Sequence, residues 1–159
     1  MKFISVIPAR SGSKGIKNKN MIKIGKKPLV QYTFEAATNS KIHENFILSD
    51  NIKIKNLAEK FKINTQYKRP KKLSESTTSL SETLNHFNKW LKKNNINYDY
   101  MVILQPTSPL RDYKDINKCL KIIEKSQSDS LFSISESLEH PYEAIIKKKN
   151  SWEFVLAKS

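Results

Sequence analysis

Apolar and polar positions run along this chain in blocks whose period switches from two to nearly four and back. Residues 2–7, KFISVI, are almost continuously apolar, as in a short strand buried on both faces. A polar, glycine-bearing stretch follows, and Pro28 suits the first turn of a helix running to about Ser40, with Leu29, Tyr32, Phe34, Ala36 and Ala37 available to a core. Phe46 to Ser49 (FILS) predict a second strand ending at Asp50, and NIKIKNLAEKF sets Ile54, Leu57, Ala58 and Phe61 at helical spacing. Thr65 to Tyr67 predict a third short strand, closed by Arg69-Pro70. The loop SESTTS, 74–79, leads into an amphipathic helix with Leu80, Leu84, Phe87 and Leu91 on one face, and Ser79 with Glu82 reads as a capping box. Tyr100 to Leu104 (YMVIL) predict the most fully buried strand. It ends in QPTSPLR, after which Asp112 can cap a helix carrying Ile116, Cys119, Leu120 and Ile123. Leu131 to Ile134 predict a last strand, and the tail from Pro141 reads as a hairpin or extension.

Strands alternating with helices at this spacing imply an α/β fold, a mostly parallel sheet with helices on both faces. In such sheets ligands bind beyond the carboxyl ends of the strands, near the point where strand order reverses. That rule gathers Arg10 to Asn20, Ser49-Asp50, Arg69, and Gln105 to Arg111 at one end of the molecule. At 159 residues the chain has the size of one domain, and neither a repeat nor a linker divides it.

Composition narrows the function classes. No apolar run reaches the eighteen or so residues of a membrane span. MKFISVIPAR is too short an apolar stretch for the core of a signal peptide, so the expectation is a cytoplasmic protein. The single cysteine, Cys119, reads as an inert buried thiol, and His43, His86 and His140 lie too far apart in sequence for a metal-ligand pattern. A formal net charge of +14 asks for an anionic partner, such as a nucleotide, a phospho-sugar or nucleic acid. Lysine is spread over nearly the whole chain, Lys71-Lys72 and Lys147 to Lys149 included, so most of it reads as a solvated face.

The stretch IPARSGSKGIKNKN, Ile7 to Asn20, concentrates Gly12, Gly15, Arg10, Lys14, Lys17 and Lys19 after the first strand. It matches neither the phosphate loop G-x-x-x-x-G-K-[ST] nor the dinucleotide fingerprint G-x-G-x-x-G. GSKG has the form of the G-x-x-G loop by which KH modules clamp RNA, but that loop joins two helices and this one follows a strand. The segment suits a polyphosphate: glycines permit an anion nest of backbone N–H groups, Arg10 offers a fork, and Lys14 and Lys19 offer point charges.

IPARSGSKGIKNKN followed by LQPTSPLR, with KPLVQYTFEAA, ILSD and KRPKKLSESTTS between them, resembles the acylneuraminate cytidylyltransferases over residues 1 to about 135. The resemblance implies a Rossmann-like fold of the nucleotide-diphospho-sugar transferase type. The implied reaction is attack of a nonulosonic acid, such as N-acetylneuraminate, legionaminate or pseudaminate, on the α-phosphate of CTP, with release of pyrophosphate. It implies that Arg10, Ser13, Lys14 and Lys19 hold the triphosphate, with Arg10 and Lys19 serving catalysis. Asn20 would lie near the ribose or base, and Arg69 with Thr78 would place the cytidine. Gln105, Thr107, Ser108 and Arg111 would form the acceptor side. It also implies Mg2+ as cofactor and a homodimer at full length.

The sequence departs from the family's pattern in two ways. The metal-binding aspartates of the family fall in a later segment without a counterpart before Ser159. Asp50, Asp99, Asp112, Asp115 and Asp129 read as strand-end, capping or surface residues, with Asp50 alone at the edge of the expected site. SESTTS lacks an aspartate that the family usually carries near Ser76. The expectation is a nucleotidyltransferase domain, residues 1–159, without the C-terminal part that would carry the metal aspartates and some dimer contacts. Two readings stay open beside it: a cytidylyltransferase for the eight-carbon acid of lipopolysaccharide, and a basic RNA-binding domain using GSKG.

Overall fold

The computed structural model describes residues 1–12, 15–75, 77–134, 136, 144–147, 149 and 151–155. Contacts divide the chain into two compact units, Met1–Gln127 and Ser128–Ser159.

In the first unit, β1 (Phe3–Pro8) is the centre of a three-stranded parallel sheet, flanked by β4 (Glu44–Leu48) and β5 (Tyr100–Ile103) in the order β4-β1-β5. A small antiparallel ribbon, β2 (Lys23–Ile24) with β3 (Lys27–Pro28), precedes the first helix. The chain goes from β1 to β4 on one side and later to β5 on the other, so strand order reverses beside β1. Parallel pairs need crossovers, and the helices α1 (Leu29–Thr38), α2 (Ile52–Lys60) and α3 (Leu80–Lys93) lie within them; α4 (Tyr113–Ser126) follows β5.

Alternation along β1 sorts the core into two layers. Phe3 and Ile7 pack on one face with Val30 and Phe34 of α1, Ile54 and Ala58 of α2, and Ile116, Leu120 and Ile123 of α4. Ile4 and Val6 pack on the other with Phe46, Leu48, Tyr67 and the α3 residues Phe87 and Leu91. Helices therefore cover both faces, as the alternation predicts. On the second face Phe46, Tyr67, Phe87 and Trp90 form an aromatic cluster with ring centroids 5.1–6.2 Å apart. Ser5, fully buried, donates to Asn45 Oδ1 at 2.6 Å, which gives the sheet's one polar inward side chain on β1 a partner.

Local signals place the helix ends well. Ser79 and Glu82 form the expected capping box, and Asp112 caps α4 in a second one with Asp115. Pro28 stands just before α1 rather than inside its first turn. Asn51 caps α2 by accepting from the backbone N–H groups of Lys53 and Ile54.

Four expectations need correction. Thr65 to Tyr67 do not form a strand. Pairing with β4 is a single bridge at Phe46 and Asn64, and Asn64 Oδ1 then accepts from Gln66 N at 2.9 Å, which turns the chain. The strand expected at Leu131 to Ile134 is absent, and Phe132 and Ile134 are exposed; among the described residues these have no ladder to join. β5 is only half-buried, with Ile103 42% exposed, because among the described residues it is an edge of the sheet. Cys119 is partly rather than fully buried.

The second unit contains a hairpin, β6 (Ile145–Lys147) with β7 (Trp152–Phe154), continued by Val155 N donating to Ala144 O at 2.8 Å. This agrees with the hairpin reading of the tail. His140 and Pro141 lie outside the described residues. No helix among the described residues is long and apolar enough to cross a membrane.

Candidate functional site

β1 and β5 end side by side, and the chain leaves each in a polar loop. Leu104 N still donates to Val6 O at 2.9 Å, so Gln105 departs level with Pro8 and the segment carrying Arg10. Between these exits, at the point where strand order reverses, lies a cleft of about 600 Å3. It is lined by Arg10, Lys19, Asn20, Arg69, Thr78, Gln105 and Thr107 among the expected residues, together with Pro8, Gly15, Ile16, Ser79, Leu80 and Pro106. Four segments remote in sequence meet there, as the strand-end rule requires. Ser13, Lys14 and Ser76 lie outside the described residues.

Among the described residues the lining carries three cationic side chains and not one carboxylate. Arg10 Nη1 donates to Glu75 O at 2.6 Å, which tethers the guanidinium toward the 71–79 segment. Asn20, 7% exposed, donates from Nδ2 to Arg10 O at 3.2 Å and braces the backbone beneath it. Lys19 opens a short 3-10 turn, Lys19–Met21, made possible by Asn18 in the left-handed region at φ 54°.

Arg69 is more committed than a sequence reading suggests. Its guanidinium donates to Leu73 O from Nη2 (2.6 Å) and Nε (3.2 Å), to Leu48 O from Nη1 (3.3 Å), and to the buried Thr83 hydroxyl from Nη2 (3.2 Å). Burial pulls its pKa down; Asp50 and Tyr67 oppose that and Arg10 adds to it. It stays a cation at neutral pH, as guanidinium groups in proteins do. Thr78 likewise spends its hydroxyl on the segment's own turn, donating to Lys72 O at 2.9 Å. Leu80, expected on the core face of α3, instead lines the cleft, and Thr83 takes a buried place on that helix.

On the β5 side the expected acceptor residues divide. Gln105 and Thr107 line the cleft, whereas Ser108 and Arg111 do not. Ser108 belongs to a turn in which its N–H donates to Gln105 O and its carbonyl accepts from Arg111 N. Arg111 turns toward α1, donating from Nη2 to Thr33 Oγ1 at 3.2 Å and to Gln105 O at 3.4 Å, and burial lowers its pKa. It lines a separate depression of about 220 Å3 with Tyr32, Glu35 and Asp112.

The glycines also differ from expectation. Neither Gly12 nor Gly15 takes a positive φ; Gly25 does, at 63°. A Cβ on Gly12 would sit 3.8 Å from Ser74 O, and one on Gly15 would meet nothing within 4 Å. The fold therefore does not require glycine at either place.

The implied Mg2+ finds no set of ligands here. Among the described residues the cleft lining has no acidic side chain, and no three His, Cys, Asp or Glu side chains gather as a cation would need. Asp50 is not among the lining residues and both its oxygens are held by Ser11. A hard divalent cation needs several oxygen ligands, carboxylates foremost. The residues present do not fit it.

Residues 4–154 match a family model described as cytidylyltransferase. The chain is 34% identical over 142 residues to a pseudaminic acid cytidylyltransferase of Campylobacter jejuni, covering 89% of this chain and 61% of that protein. It is 36% identical over 124 residues to an N-acylneuraminate cytidylyltransferase of Escherichia coli, covering 77% of this chain and 28% of that one. The chain thus spans less than two thirds of the length of either, 61% of one and 28% of the other. Among solved structures, a CMP:2-keto-3-deoxy-manno-octonic acid synthetase complexed with CTP superposes with a TM-score of 0.64 at 22% identity, over 80% of this chain and 49% of that one. A cytidylyltransferase from Leptospira borgpetersenii superposes with a TM-score of 0.61 at 23% identity, over 80% and 50%; both likenesses concern the fold. On sequence, this chain belongs to the cytidylyltransferase family.

Proposed function

We propose that this protein transfers CMP from CTP to a nonulosonic acid and releases pyrophosphate, and that residues 1–127 hold the nucleotide and one wall of the acceptor site. The observation that carries the reading is the cleft at the strand-order reversal, lined by Arg10, Lys19 and Arg69 and, among the described residues, free of carboxylates. A triphosphate is the most highly charged ligand a nucleotidyl transfer presents, and such a lining lowers the cost of bringing it in. The acceptor class follows the named relatives, which act on pseudaminic and N-acylneuraminic acids.

In the transfer the acceptor's hydroxyl oxygen attacks the α-phosphorus, the bond from that phosphorus to the β-bridging oxygen breaks, and the hydroxyl proton is released. Negative charge builds on the leaving pyrophosphate, so donors fixed in advance do most of the catalytic work. Arg10 and Lys19 are placed to neutralise phosphate oxygens, Arg10 held by its bond to Glu75 O. Ser13 and Lys14 join that group by resemblance. Asn20 and Thr78 with Arg69 bound the nucleoside end, and Gln105 with Thr107 faces the acceptor. Ser108 and Arg111 support that wall from behind through the turn at Gln105. A homodimer belongs to this reading only by resemblance, as does a magnesium ion, and no step above is routed through one.

The test measures pyrophosphate release from CTP with a panel of nonulosonic acids and the eight-carbon acid of lipopolysaccharide, in buffer containing magnesium. Release with a nine-carbon acid and not the eight-carbon one is expected. Release with the eight-carbon acid alone would move the acceptor assignment; RNA outcompeting CTP for the chain would remove the reading altogether. Arg10→Ala should weaken CTP binding at least tenfold, while loss of the single bond to Glu75 O costs the fold about 1 kcal/mol. Unchanged CTP affinity in that variant would exclude Arg10 from the site.

A further inference from the structure

The β1 exit is tied to the β4 exit by bonds that converge on three consecutive residues. Ala9 N donates to Leu48 O at 3.1 Å, and Ser49 Oγ donates to Ala9 O at 2.6 Å. Beyond Arg10, Asp50 Oδ1 accepts from Ser11 N at 2.8 Å and Oδ2 accepts from Ser11 Oγ at 2.6 Å. The two sides of Arg10 are thereby fixed to the neighbouring strand's loop, one of them by both oxygens of a single carboxylate.

From this geometry we infer that Asp50 is a positioning residue for CTP binding, acting through Ser11 to hold the backbone that presents Arg10 to the cleft. This rests on the nucleotide reading of the site given above. Asp50 cannot act by attraction, because an anionic side chain near a triphosphate site repels the ligand. Nor is it disposed as a metal ligand, since both oxygens already accept from Ser11 and neither reaches the cleft lining. Its charge also favours the Arg69 cation nearby, but both carboxylate oxygens bond to Ser11, and that bidentate clamp is what acts on the β1 exit. Bonds of this kind, an ionised acceptor on a backbone N–H and a hydroxyl, are short and strong relative to neutral ones. Released, Ser11 frees the β1 exit, and Arg10 spends a smaller fraction of time in the binding geometry; apparent affinity falls by that fraction.

Charge and clamp make opposite predictions, which separates them. Asparagine at position 50 can still accept from Ser11 N and donate to Ser11 Oγ, but it has no charge; alanine does neither. CTP binding is measured by calorimetry on the 159-residue chain in EDTA, with folding of each variant checked by circular dichroism. Asp50→Ala should bind about tenfold more weakly, Asp50→Asn within about threefold of wild type, and Ser11→Ala, which keeps the backbone bond, in between. The Ser11→Ala/Asp50→Ala double variant should be no weaker than Asp50→Ala, since both remove one device. Wild-type affinity in a folded Asp50→Ala would overturn the inference while leaving the nucleotide site standing. Equal losses in Asp50→Asn and Asp50→Ala would overturn it in favour of a role for the charge itself. If the unsubstituted chain did not bind CTP at all, the site reading and this inference would fall together.

Discussion

Replacing Arg69 by alanine removes four donor contacts from three acceptors: Leu73 O, Leu48 O and Thr83 Oγ1. A hydrogen bond from a charged donor contributes about 1.5–3 kcal/mol, and an orphaned partly buried carbonyl adds a desolvation cost. The bond to Leu73 O at 2.6 Å is the one short contact; the others are 3.2–3.3 Å, and Arg69 is itself partly exposed, so water reoccupies part of the space. One full bond and a fraction of the rest give about 2–3 kcal/mol, against a typical total stability of roughly 5–15 kcal/mol. With a urea dependence of about 2 kcal/mol per molar, the unfolding midpoint should fall by about 1–1.5 M. Arg69→Lys keeps the charge but not the fork. It should recover less than half of that midpoint while binding CTP better than Arg69→Ala. A midpoint shift below about 0.3 M in Arg69→Ala, or full recovery in Arg69→Lys, would refute the claim that this guanidinium staples the 69–83 segment to β4.

Burial alone would raise the Asp50 pKa, but the Ser11 hydroxyl and N–H, with Arg69 nearby, hold it below the usual carboxylate value. A lowered folded pKa gives stability that is complete above the unfolded value of about 3.9 and is lost as pH falls through the folded one. Paired urea titrations should therefore show wild type ahead of Asp50→Asn at pH 7 and the gap closing toward pH 3; a constant gap would contradict it. Gly15→Ala should leave thermal stability unchanged within about 0.5 kcal/mol, because neither φ nor space at Gly15 demands glycine; a larger loss would show otherwise. Phe87→Ala, which empties the centre of the α3 aromatic cluster, should cost about 3–5 kcal/mol by chemical denaturation, and a cost under 1 kcal/mol would mean that the cluster collapses to fill the space.

Short-range features of the fold were readable in the sequence. Ser79-x-x-Glu82 and Asp112 mark helix starts because a capping bond spans three residues, and KFISVI marks a strand because both its faces are covered. The misreadings share a cause in longer reach. Tyr67 is expected in a short strand closed by Arg69-Pro70, but its side chain fills the α3 layer while Asn64 bends the backbone away from pairing. YMVIL has the composition of a buried strand and, among the described residues, is an edge of the sheet, since composition does not specify how many neighbours a strand acquires. At the site, Arg10, Lys19 and Asn20 of one motif and Gln105 and Thr107 of the other line the cleft, whereas Ser108 and Arg111 do not and the hydroxyl of Thr78 serves a backbone carbonyl. The clamp on Ser11 had no sequence signal, because its two halves lie 39 positions apart.

The central place of β1 bears on how the chain folds. Both of its partners are parallel and remote, with contacts such as Phe3 to His43 and Lys2 to Asp99 closing separations of 40 and 97 residues. No hairpin within the sheet can serve as a local nucleus, so each pairing must offset a long loop closure before burial rewards it. During synthesis β1 and β4 can meet while β5 is still unmade. The first strand then carries an open edge until Tyr100–Ile103 emerge, and the cleft, whose far wall is Gln105 and Thr107, is the last part of the first unit's sheet end to be completed. Nucleotide added to a nascent chain should protect it from proteolysis only after that point, so ligand and the final strand would arrive as one event.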